Sequence, residues 1–463
     1  MPRFGIFPFD SGATAPNRLE RTLRAVVLAA ALGGCAQNSV AVAPAVQRAL
    51  SPPAASKIAH VVIIFQENRT PDNLFNDLPG ADTVSYGVNS KGQRVKLAPE
   101  SLTVPYDVGH SHVSFRIEKA GGEWNGFDRV DSRCFGLNWC LPRRLRAFGY
   151  VPHREVRPYF DLAEQYAFAD RMFQTNQGPS FPAHQYIVSA TSSVVNGSPY
   201  LAAENPSSPL TQPSGGCDSP PESLVLLIGP AGEERKNVYP CFDRISLMDL
   251  IAAKHLSWRY YQAYLGPGIW NGPDAIERIR DDPAQYANVI APPAQVLTDV
   301  AHGKLASVTW VTPTPFASDH SAVTDGSGPS WVAAVVNAVG KSPFWNSTAI
   351  FITWDDWGGW YDHVVPPQYN PYELSFRVPL IVVSPFAKRH YVSHKQHEFG
   401  SILKFSEKIF GLGSMHATDE RSDDLFDCFD FTQPPAKFHP IAAPLPPSYF
   451  LRQPISRDVP DSD

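Results

Sequence analysis

Two adjacent carboxylates, Asp355 and Asp356, follow the unbroken apolar run 349–353 after a single tryptophan and precede the turn residues Gly358 and Gly359. A β-branched and aromatic run of this kind is typical of a strand buried on both faces in a parallel sheet. Ligands bind at the carboxyl ends of such strands, and adjacent like charges repel each other unless a cation lies between them. The pair therefore predicts a divalent metal site, and a simple acidic turn is the alternative.

A second pair of oxygen-bearing side chains follows the apolar run 58–65, which predicts the first central strand. Glu67 and Asn68 follow this run after Gln66, so they also stand at the carboxyl end of a strand. Thr70 followed by Pro71 predicts the start of a helix, because threonine caps helix N-termini and proline suits the first turn. Both predicted ligand pairs thus follow a buried strand.

A serine and a pair of histidines are the remaining candidates for chemistry. Ser180 follows a Gly-Pro pair, which places its hydroxyl at a turn or a helix start. Serine is a weak nucleophile at neutral pH unless a base or a metal ion activates it, and a helix-capping role is the alternative. His110 and His112 form a His-x-His pair in a predicted loop, and such a pair is more often a solvated surface feature.

The elements that must position these residues alternate between strands and helices. Further strands are predicted at 256–261, 305–313 and 376–385, and helices at 331–339 and 402–410. The chain has 463 residues, which is long enough for one large α/β domain or two smaller ones. A hydrophobic fraction of 43%, a charged fraction of 18% and a net charge of −6 indicate a soluble globular protein and argue against a general nucleic-acid binder.

The N-terminus has the pattern of a targeting segment. Three arginines within 18–24 precede an apolar run, 25–32, that is too short to span a bilayer. The run ends in a Leu-x-Gly-Cys pattern at Cys35 that resembles the lipobox of bacterial lipoproteins, whereas an ordinary secretory signal with an incidental cysteine is the alternative. We therefore expect residues 1–35 to be a lipoprotein-type signal peptide and 36–56 a flexible linker. The protein is expected to be exported, as a periplasmic or outer-membrane lipoprotein anchored at Cys35 or as a secreted protein.

The other five cysteines show no Cys-x-x-Cys spacing of the kind that binds zinc. In an exported protein they are better interpreted as disulfide partners. Pairing Cys134 with Cys140 would close a short loop, and pairing Cys217 with Cys241 would close a longer one. That pairing leaves Cys428 over, although other pairings are allowed.

The opening stretch 58–75 resembles the first motif of the bacterial phosphoesterase family, which contains phospholipases C and acid phosphatases. The match is specific at Glu67, Asn68 and Arg69 and departs at Thr70-Pro71. Members of this family are similar in fold to the alkaline phosphatase superfamily. The resemblance therefore implies an α/β fold, a three-layer sandwich with a mostly parallel central sheet and a metal at its carboxyl edge.

Later motifs follow the family's order and imply roles for single residues. His110 takes the position of a site histidine, Ser180 that of the nucleophile after Gly-Pro, and His320 that of a second site histidine. His363 lies in another matching segment, where it would hold phosphate, orient an aspartate or pin the loop. Where many relatives have Pro-Asn-Arg after the nucleophile, this chain has His184 in place of the arginine, as the expected substitute for a phosphate contact.

The resemblance covers residues 57–434 as one catalytic domain, and 435–463 is expected to be a Pro-rich C-terminal tail. It implies a metal-dependent phosphoric ester hydrolase that acts through a phosphoserine at Ser180. The catalytic set would be Ser180, His110, His320 and His363. One divalent ion (Ca, Mg, Mn or Zn) would be held by Glu67, Asn68, Ser180, Asp355 and Asp356.

The expected substrate is a phosphate monoester or a phospholipid, with no nucleic-acid partner. Asp355-Asp356 is closer to the acid phosphatase branch, since phospholipase-like members often have Asp-Glu there. A catalytically inactive cell-surface binding lipoprotein on the same fold is the alternative, and the departures at Thr70-Pro71, Ala183-His184 and Phe399 support it. The presence of all five expected ligands argues against that alternative.

Overall fold

The computed structural model describes residues 57–136, 140–208 and 213–457. The predicted signal peptide, linker and lipid-anchor residue Cys35 lie outside these described residues. An eight-stranded sheet forms the centre, with strands β1 (His60–Gln66), β2 (Ala167–Ala169), β3 (Trp258–Tyr261), β4 (Val289–Ile290), β5 (Val308–Val311), β6 (Thr348–Trp354), β7 (Leu380–Val383) and β8 (Tyr391–Ser393).

The strands lie in the order β4-β3-β5-β1-β6-β7-β2-β8. Neighbouring strands are parallel except at β7, which runs antiparallel to both β6 and β2. The two longest strands, β1 and β6, are paired near the middle, and their residues are buried except for half-buried His60. This sheet confirms the predicted α/β class with a mostly parallel sheet. The apolar runs of its strands are continuous because a parallel sheet is covered on both faces.

Helices cover both faces of this sheet. Those of at least seven residues are α1 (His112–Lys119), α2 (Arg157–Gln165), α3 (Ser180–Ser189), α4 (Leu247–Ala253), α5 (Gln295–Ala301), α6 (Gly328–Gly340) and α7 (Phe399–Phe410). On β6, the Phe351 ring lies 4.9 Å from Phe405 of α7, whereas the Trp354 ring lies 5.1 Å from Tyr159 of α2. Positions 351 and 354 point to opposite faces of a strand, so the molecule has three layers.

The loops between these elements contain single-turn helices and short strands. Single-turn α-helices span Pro71–Leu74, Arg143–Arg146, Glu277–Arg280, Pro283–Tyr286, Thr418–Arg421 and Pro447–Phe450. Short strand groups are Tyr86–Val88 with Arg94–Lys96, Ala98–Pro99 with Gly149–Tyr150, Tyr106–Val108 with Ser132–Cys134, Met172–Phe173 with His397–Glu398, and Leu201–Ala202 with Val225–Ile228 and Glu234–Val238.

Local signals in the sequence explain several element boundaries. Thr70 caps the helix that starts at Pro71 by accepting a hydrogen bond from the Asn73 amide, 3.1 Å away, as predicted. The helix predicted at 331–339 spans Gly328–Gly340, because a proline at its first turn starts it earlier than the apolar pattern does. Strands β2, β4 and β8 were not predicted, since two or three residues carry no readable alternation.

Both cysteine pairings favoured by the sequence are present. Cys134 is bonded to Cys140 and Cys217 to Cys241, while Cys428 is free and buried. At the C-terminal end, Phe438 packs against Trp345 and Phe450 against Trp331, so the Pro-rich segment contacts the core. Within the described part of the chain, no helix has the length and apolar character needed to cross a bilayer.

Candidate active site

The register between β1 and β6 brings the two predicted ligand pairs together. Gln66 pairs with Trp354 at the ends of the strands, and the Asp355 amide donates to the Gln66 carbonyl at 3.0 Å. Glu67 and Asp355 therefore occupy equivalent positions at the carboxyl edge, where sheets of this type bind ligands. Both carboxylates are fully buried.

Backbone amides hold the two aspartates in place. Asp355 Oδ1 accepts from the Asp356 amide at 2.8 Å and from the Asn68 amide at 3.2 Å, and Asp356 Oδ1 accepts from the Gly358 amide at 2.7 Å. Gly358 has a φ of +64°, and a Cβ at this position would lie 2.5 Å from the Asn68 carbonyl oxygen. Only glycine allows this turn to pack so closely against Asn68.

Ser180 is the first residue of α3 and points into the same cluster. Its Oγ lies 3.3 Å from Glu67 Oε2 and 3.4 Å from Asp356 Oδ2, within reach of donating to either carboxylate. Pro179 is the N-cap residue of this helix, and Ser180 makes no capping hydrogen bond there. The hydroxyl thus faces the carboxylates and does not serve as a helix cap.

His184 lies one helical turn after Ser180 and contacts the same carboxylates. Its Nε2 donates to Glu67 Oε1 at 3.1 Å and lies 3.8 Å from Asp355 Oδ2, while its buried Nδ1 has no hydrogen-bond partner. Burial lowers the pKa of His184 to about 4, so the imidazole is neutral and carries its proton on Nε2. A phosphate contact is the role expected of His184 from the sequence, whereas its hydrogen bond in the structure goes to Glu67. The four-residue spacing from Ser180 is the sequence signal for this position, because residues four apart lie on the same face of a helix.

Asn68 joins the carboxylates to two histidines. With its amide nitrogen towards the acids, it donates to Glu67 Oε2 and Asp355 Oδ1 at 3.0 Å each, and its oxygen accepts from His110 Nε2 at 3.0 Å and His320 Nε2 at 3.2 Å. With the amide reversed, its nitrogen lies 3.0 Å from His110 Nε2 and its oxygen faces the acids. A cation among the oxygens favours the second orientation, because an amide oxygen then becomes a ligand.

Backbone carbonyls orient both histidines. His110 Nδ1 lies 2.9 Å from the Val108 carbonyl oxygen, and His320 Nδ1 lies 2.7 Å from the Ser321 carbonyl oxygen. These bonds hold the Nδ1 protons and direct both Nε2 atoms to Asn68. The two buried rings are 5.6 Å apart, so the predicted pair His110 and His320 does come together with the metal-ligand candidates.

The donor set fits one divalent ion. Glu67, Asp355 and Asp356 are buried carboxylates, and Asp355 Oδ2 is a buried oxygen with no hydrogen-bond partner. Carboxylate oxygens of Glu67 and Asp355 lie within 4.8 Å of each other, and His184, which approaches them equally closely, donates to Glu67 and is not one of the oxygen ligands. Buried like charges are stable only with a compensating cation, and carboxylate, amide and hydroxyl oxygens suit a hard divalent metal.

Arg69, the arginine of the opening motif, has a structural role. Arg69 is buried, and its guanidinium donates to the Asp319 carbonyl at 2.6 Å and to the Leu102 carbonyl at 3.0 Å. The Asp319 carboxylate accepts from the Tyr159 hydroxyl at 2.8 Å and from Trp354 Nε1 at 3.0 Å, and burial raises its pKa to about 6. Because Asp319 precedes His320, this network fixes the loop that carries the second histidine.

His363 lies in a different cluster. Its Nδ1 is 2.7 Å from Asp72 Oδ2 and its Nε2 is 3.1 Å from Asp82 Oδ1. Arg377 neutralises this cluster through hydrogen bonds to Asp362, the shortest at 2.6 Å. The described hydrogen bonds of His363 include none to the Ser180 cluster, so its contacts fit the aspartate-orienting alternative; its catalytic role stays a prediction.

A family model described as the phosphoesterase family matches residues 58–413, and the protein therefore belongs to this family. Phospholipase C B of Mycobacterium tuberculosis is 24% identical over 442 residues, covering 82% of this chain and 78% of that protein. Hemolytic phospholipase C of Pseudomonas aeruginosa is 24% identical and covers 81% of this chain, but only 56% of its own length is matched. The chain is accordingly a phosphoric ester hydrolase.

Solved structures with a similar arrangement show much lower identity. A protein of the alkaline phosphatase superfamily from Vibrio parahaemolyticus is 10% identical, with a TM-score of 0.36, covering 80% of this chain and 70% of that chain. The phosphonate monoester hydrolase SpPMH from Silicibacter pomeroyi is 11% identical, with a TM-score of 0.33, covering 61% of this chain and 73% of that chain.

Proposed function

We propose that this protein hydrolyses phosphoric esters through a covalent phosphoserine at Ser180, with one divalent ion held by Glu67, Asn68, Asp355, Asp356 and Ser180 itself. The observation that carries the proposal is the position of Ser180 Oγ between the carboxylates of Glu67 and Asp356, at 3.3 and 3.4 Å. When bound, the ion supplies positive charge that favours the ionised hydroxyl and balances charge on the phosphoryl oxygens.

The reaction has two steps, the formation of the phosphoserine and its hydrolysis. Ser180 Oγ forms the bond to phosphorus while the bond from phosphorus to the leaving oxygen breaks; the serine proton passes to Glu67 or Asp356, and the leaving oxygen takes up a proton from solvent. A water molecule then attacks the phosphoserine: its oxygen bonds to phosphorus, the bond from phosphorus to Ser180 Oγ breaks, and Ser180 regains a proton while the carboxylate and the water release theirs to solvent. His184 keeps Glu67 in position by donating to its other oxygen.

His110 and His320 are proposed to contact the phosphoryl group. Both rings direct Nε2 to the Asn68 amide at the edge of the cluster. Because a backbone carbonyl already holds the proton on each Nδ1, Nε2 donates to a substrate oxygen next to Ser180 when the ring is an imidazolium. Charge spreads over these oxygens in phosphoryl transfer, so preorganised donors lower the barrier.

The substrate of this reaction is either a phospholipid or a soluble phosphate monoester. The names of the relatives favour a phospholipid, whereas the Asp355-Asp356 pair favours a soluble monoester. Purified protein is assayed in parallel for release of phosphate from p-nitrophenyl phosphate and of diacylglycerol from phosphatidylcholine vesicles. The higher kcat/KM identifies the class.

The covalent step has its own experiment. Protein mixed with substrate and quenched in acid should carry a phosphoryl adduct on the peptide that contains Ser180, detected by mass spectrometry. Absence of the adduct under turnover conditions, with activity present, would remove the serine from the mechanism. Chelation followed by metal analysis tests the ion and separates this proposal from an inactive binding lipoprotein, which would show no turnover before or after chelation.

We further propose export and lipidation at Cys35, on the basis of the Leu-x-Gly-Cys pattern at the end of the apolar segment. Wild-type protein expressed in a Gram-negative host should fractionate with membranes and carry an N-terminal acyl modification. Cys35→Ser should shift the protein to the soluble exported fraction or leave it unprocessed. A soluble, unmodified wild-type protein would contradict the anchor.

A further inference from the structure

A second buried cluster of metal-binding side chains lies at the end of β8. It joins His397, at the start of the segment leading into α7, to Asp427 and Cys428 in the 3₁₀ turn Phe426–Cys428. One ligand atom from each of the three residues lies within 4.8 Å of the other two. The cluster shares no residue with the Ser180 cluster.

His397 is already oriented as a metal ligand. Its Nδ1 lies 2.6 Å from Asp423 Oδ1, so the carboxylate holds the proton on that nitrogen. Its Nε2 then faces Asp427 Oδ1 at 4.0 Å and Ser393 Oγ at 3.1 Å. Zinc-binding histidines usually have this arrangement: one ring nitrogen binds the metal, and the other donates a hydrogen bond to a carboxylate that orients the ring.

Asp427 contributes a buried oxygen that nothing in the described structure satisfies. Its side chain is 8% exposed, its Oδ2 accepts from Ser393 Oγ at 2.5 Å, and its Oδ1 has no hydrogen-bond partner. The described ion pairs of Asp423 and Asp427 involve only His397. By contrast, the acidic cluster around Asp362 is neutralised by Arg377.

Cys428 completes the donor set. It is fully buried and forms no disulfide, whereas four other cysteines of the described chain are paired. A thiolate next to an imidazole and a carboxylate selects a borderline or soft transition metal over Ca²⁺ or Mg²⁺. The hard-oxygen cluster at Ser180 has the opposite preference.

We propose that His397 Nε2, Asp427 Oδ1 and Cys428 Sγ bind a transition metal ion of the Zn²⁺ class, with Ser393 Oγ or water as a further ligand. On binding, the sulfur–hydrogen bond of Cys428 is replaced by a sulfur–metal bond, and the proton is released to solvent. The ion compensates the carboxylate of Asp427, which is 8% exposed, and ties the turn Phe426–Cys428 to β8 and the segment before α7. Its role is structural, and it does not depend on the proposed phosphoserine chemistry.

Cobalt substitution gives a signal specific to this cluster. Full-length protein is stripped with a chelator and titrated with Co²⁺ under reducing conditions that leave the disulfides intact, and the near-ultraviolet charge-transfer band of a thiolate–cobalt bond is recorded. We expect the band in wild-type protein and its loss in Cys428→Ala. Two matched controls, Cys35→Ala and Asp356→Asn, should keep the band, because neither residue belongs to this cluster.

Stability supplies a second measurement. In the Asp356→Asn background, Zn²⁺ should raise the Tm, and adding Cys428→Ala should remove that rise. No thiolate–cobalt band in wild-type protein, or a band that survives Cys428→Ala, would overturn the proposal. The wild-type result is decisive even if the variant does not fold.

Discussion

Glu67 Oε2 lies 3.3 Å from Ser180 Oγ, although 113 positions separate the two residues in the chain. The contact exists because β1 ends at one point of the sheet edge and α3 begins at the same point. It couples an acid that follows the first strand to the hydroxyl that starts a helix.

Ser180→Ala should lower kcat for p-nitrophenyl phosphate or phosphatidylcholine by at least about 1,000-fold, because it removes the nucleophile. Far-ultraviolet circular dichroism and Tm should be nearly unchanged. Ser189→Ala, at the other end of the same buried helix, is the matched control and should keep its activity. Equal activity in the two variants would exclude Ser180 as nucleophile.

Asp356→Asn should weaken binding of the divalent ion by more than about 100-fold, since a ligand loses its charge while its shape is kept. Isothermal titration of chelator-treated protein measures the affinity. Activity lost on chelation should return on adding the ion to wild-type protein and not to the variant. Full activity of thoroughly chelated wild-type protein would contradict metal dependence.

His184→Ala should lower metal affinity and kcat by about 10- to 100-fold, because Glu67 loses the donor that orients it. His184→Gln offers a side-chain amide that is able to donate to Glu67, and it should recover part of the loss. If His184 contacted phosphate directly, KM would rise in both variants while metal affinity stayed constant.

His363→Ala should destabilise the protein by about 1–3 kcal/mol and leave kcat within about 10-fold of wild type, because its hydrogen bonds go to Asp72 and Asp82. Burial opposes charge on this 22% exposed ring, but the hydrogen bond to Asp72 and the acidic neighbours outweigh it and raise the pKa of His363. A histidine whose pKa is raised by folding stabilises the folded state fully at pH values below its pKa in the unfolded chain. This stabilisation is lost as the pH rises through the pKa of the folded state. The stability gap to wild type should therefore narrow at alkaline pH in chemical denaturation.

Glu407→Gln should flatten the dependence of stability on pH. Burial and then the charge of Asp419 raise the pKa of Glu407 to about 8, so the folded state holds a proton that the unfolded chain releases at lower pH. The stabilisation is complete below the unfolded pKa and is lost as pH rises towards 8. Denaturation midpoints of wild type and variant should diverge across this range, and parallel curves would contradict the assignment.

Much of the fold followed from local signals. The apolar runs that became β1 and β6 are continuous because both faces are covered, and the cap at Thr70 depends on one side-chain oxygen and one nearby amide. The family motifs identified Ser180 and the ligand candidates one at a time. Strands β4 and β8 escaped prediction, because their pairing partners and not their own residues define them.

The sequence by itself determined which residue types are available for phosphoryl chemistry, since each motif lies within a short stretch of chain. Only the tertiary structure decided their partners. It pairs His184 with Glu67 and His363 with Asp72 through hydrogen bonds, and it brings His397 close to Cys428. These contacts depend on strand register and on how the helices pack against the sheet. Long-range packing of this kind is set by the whole core, and a local pattern does not encode it.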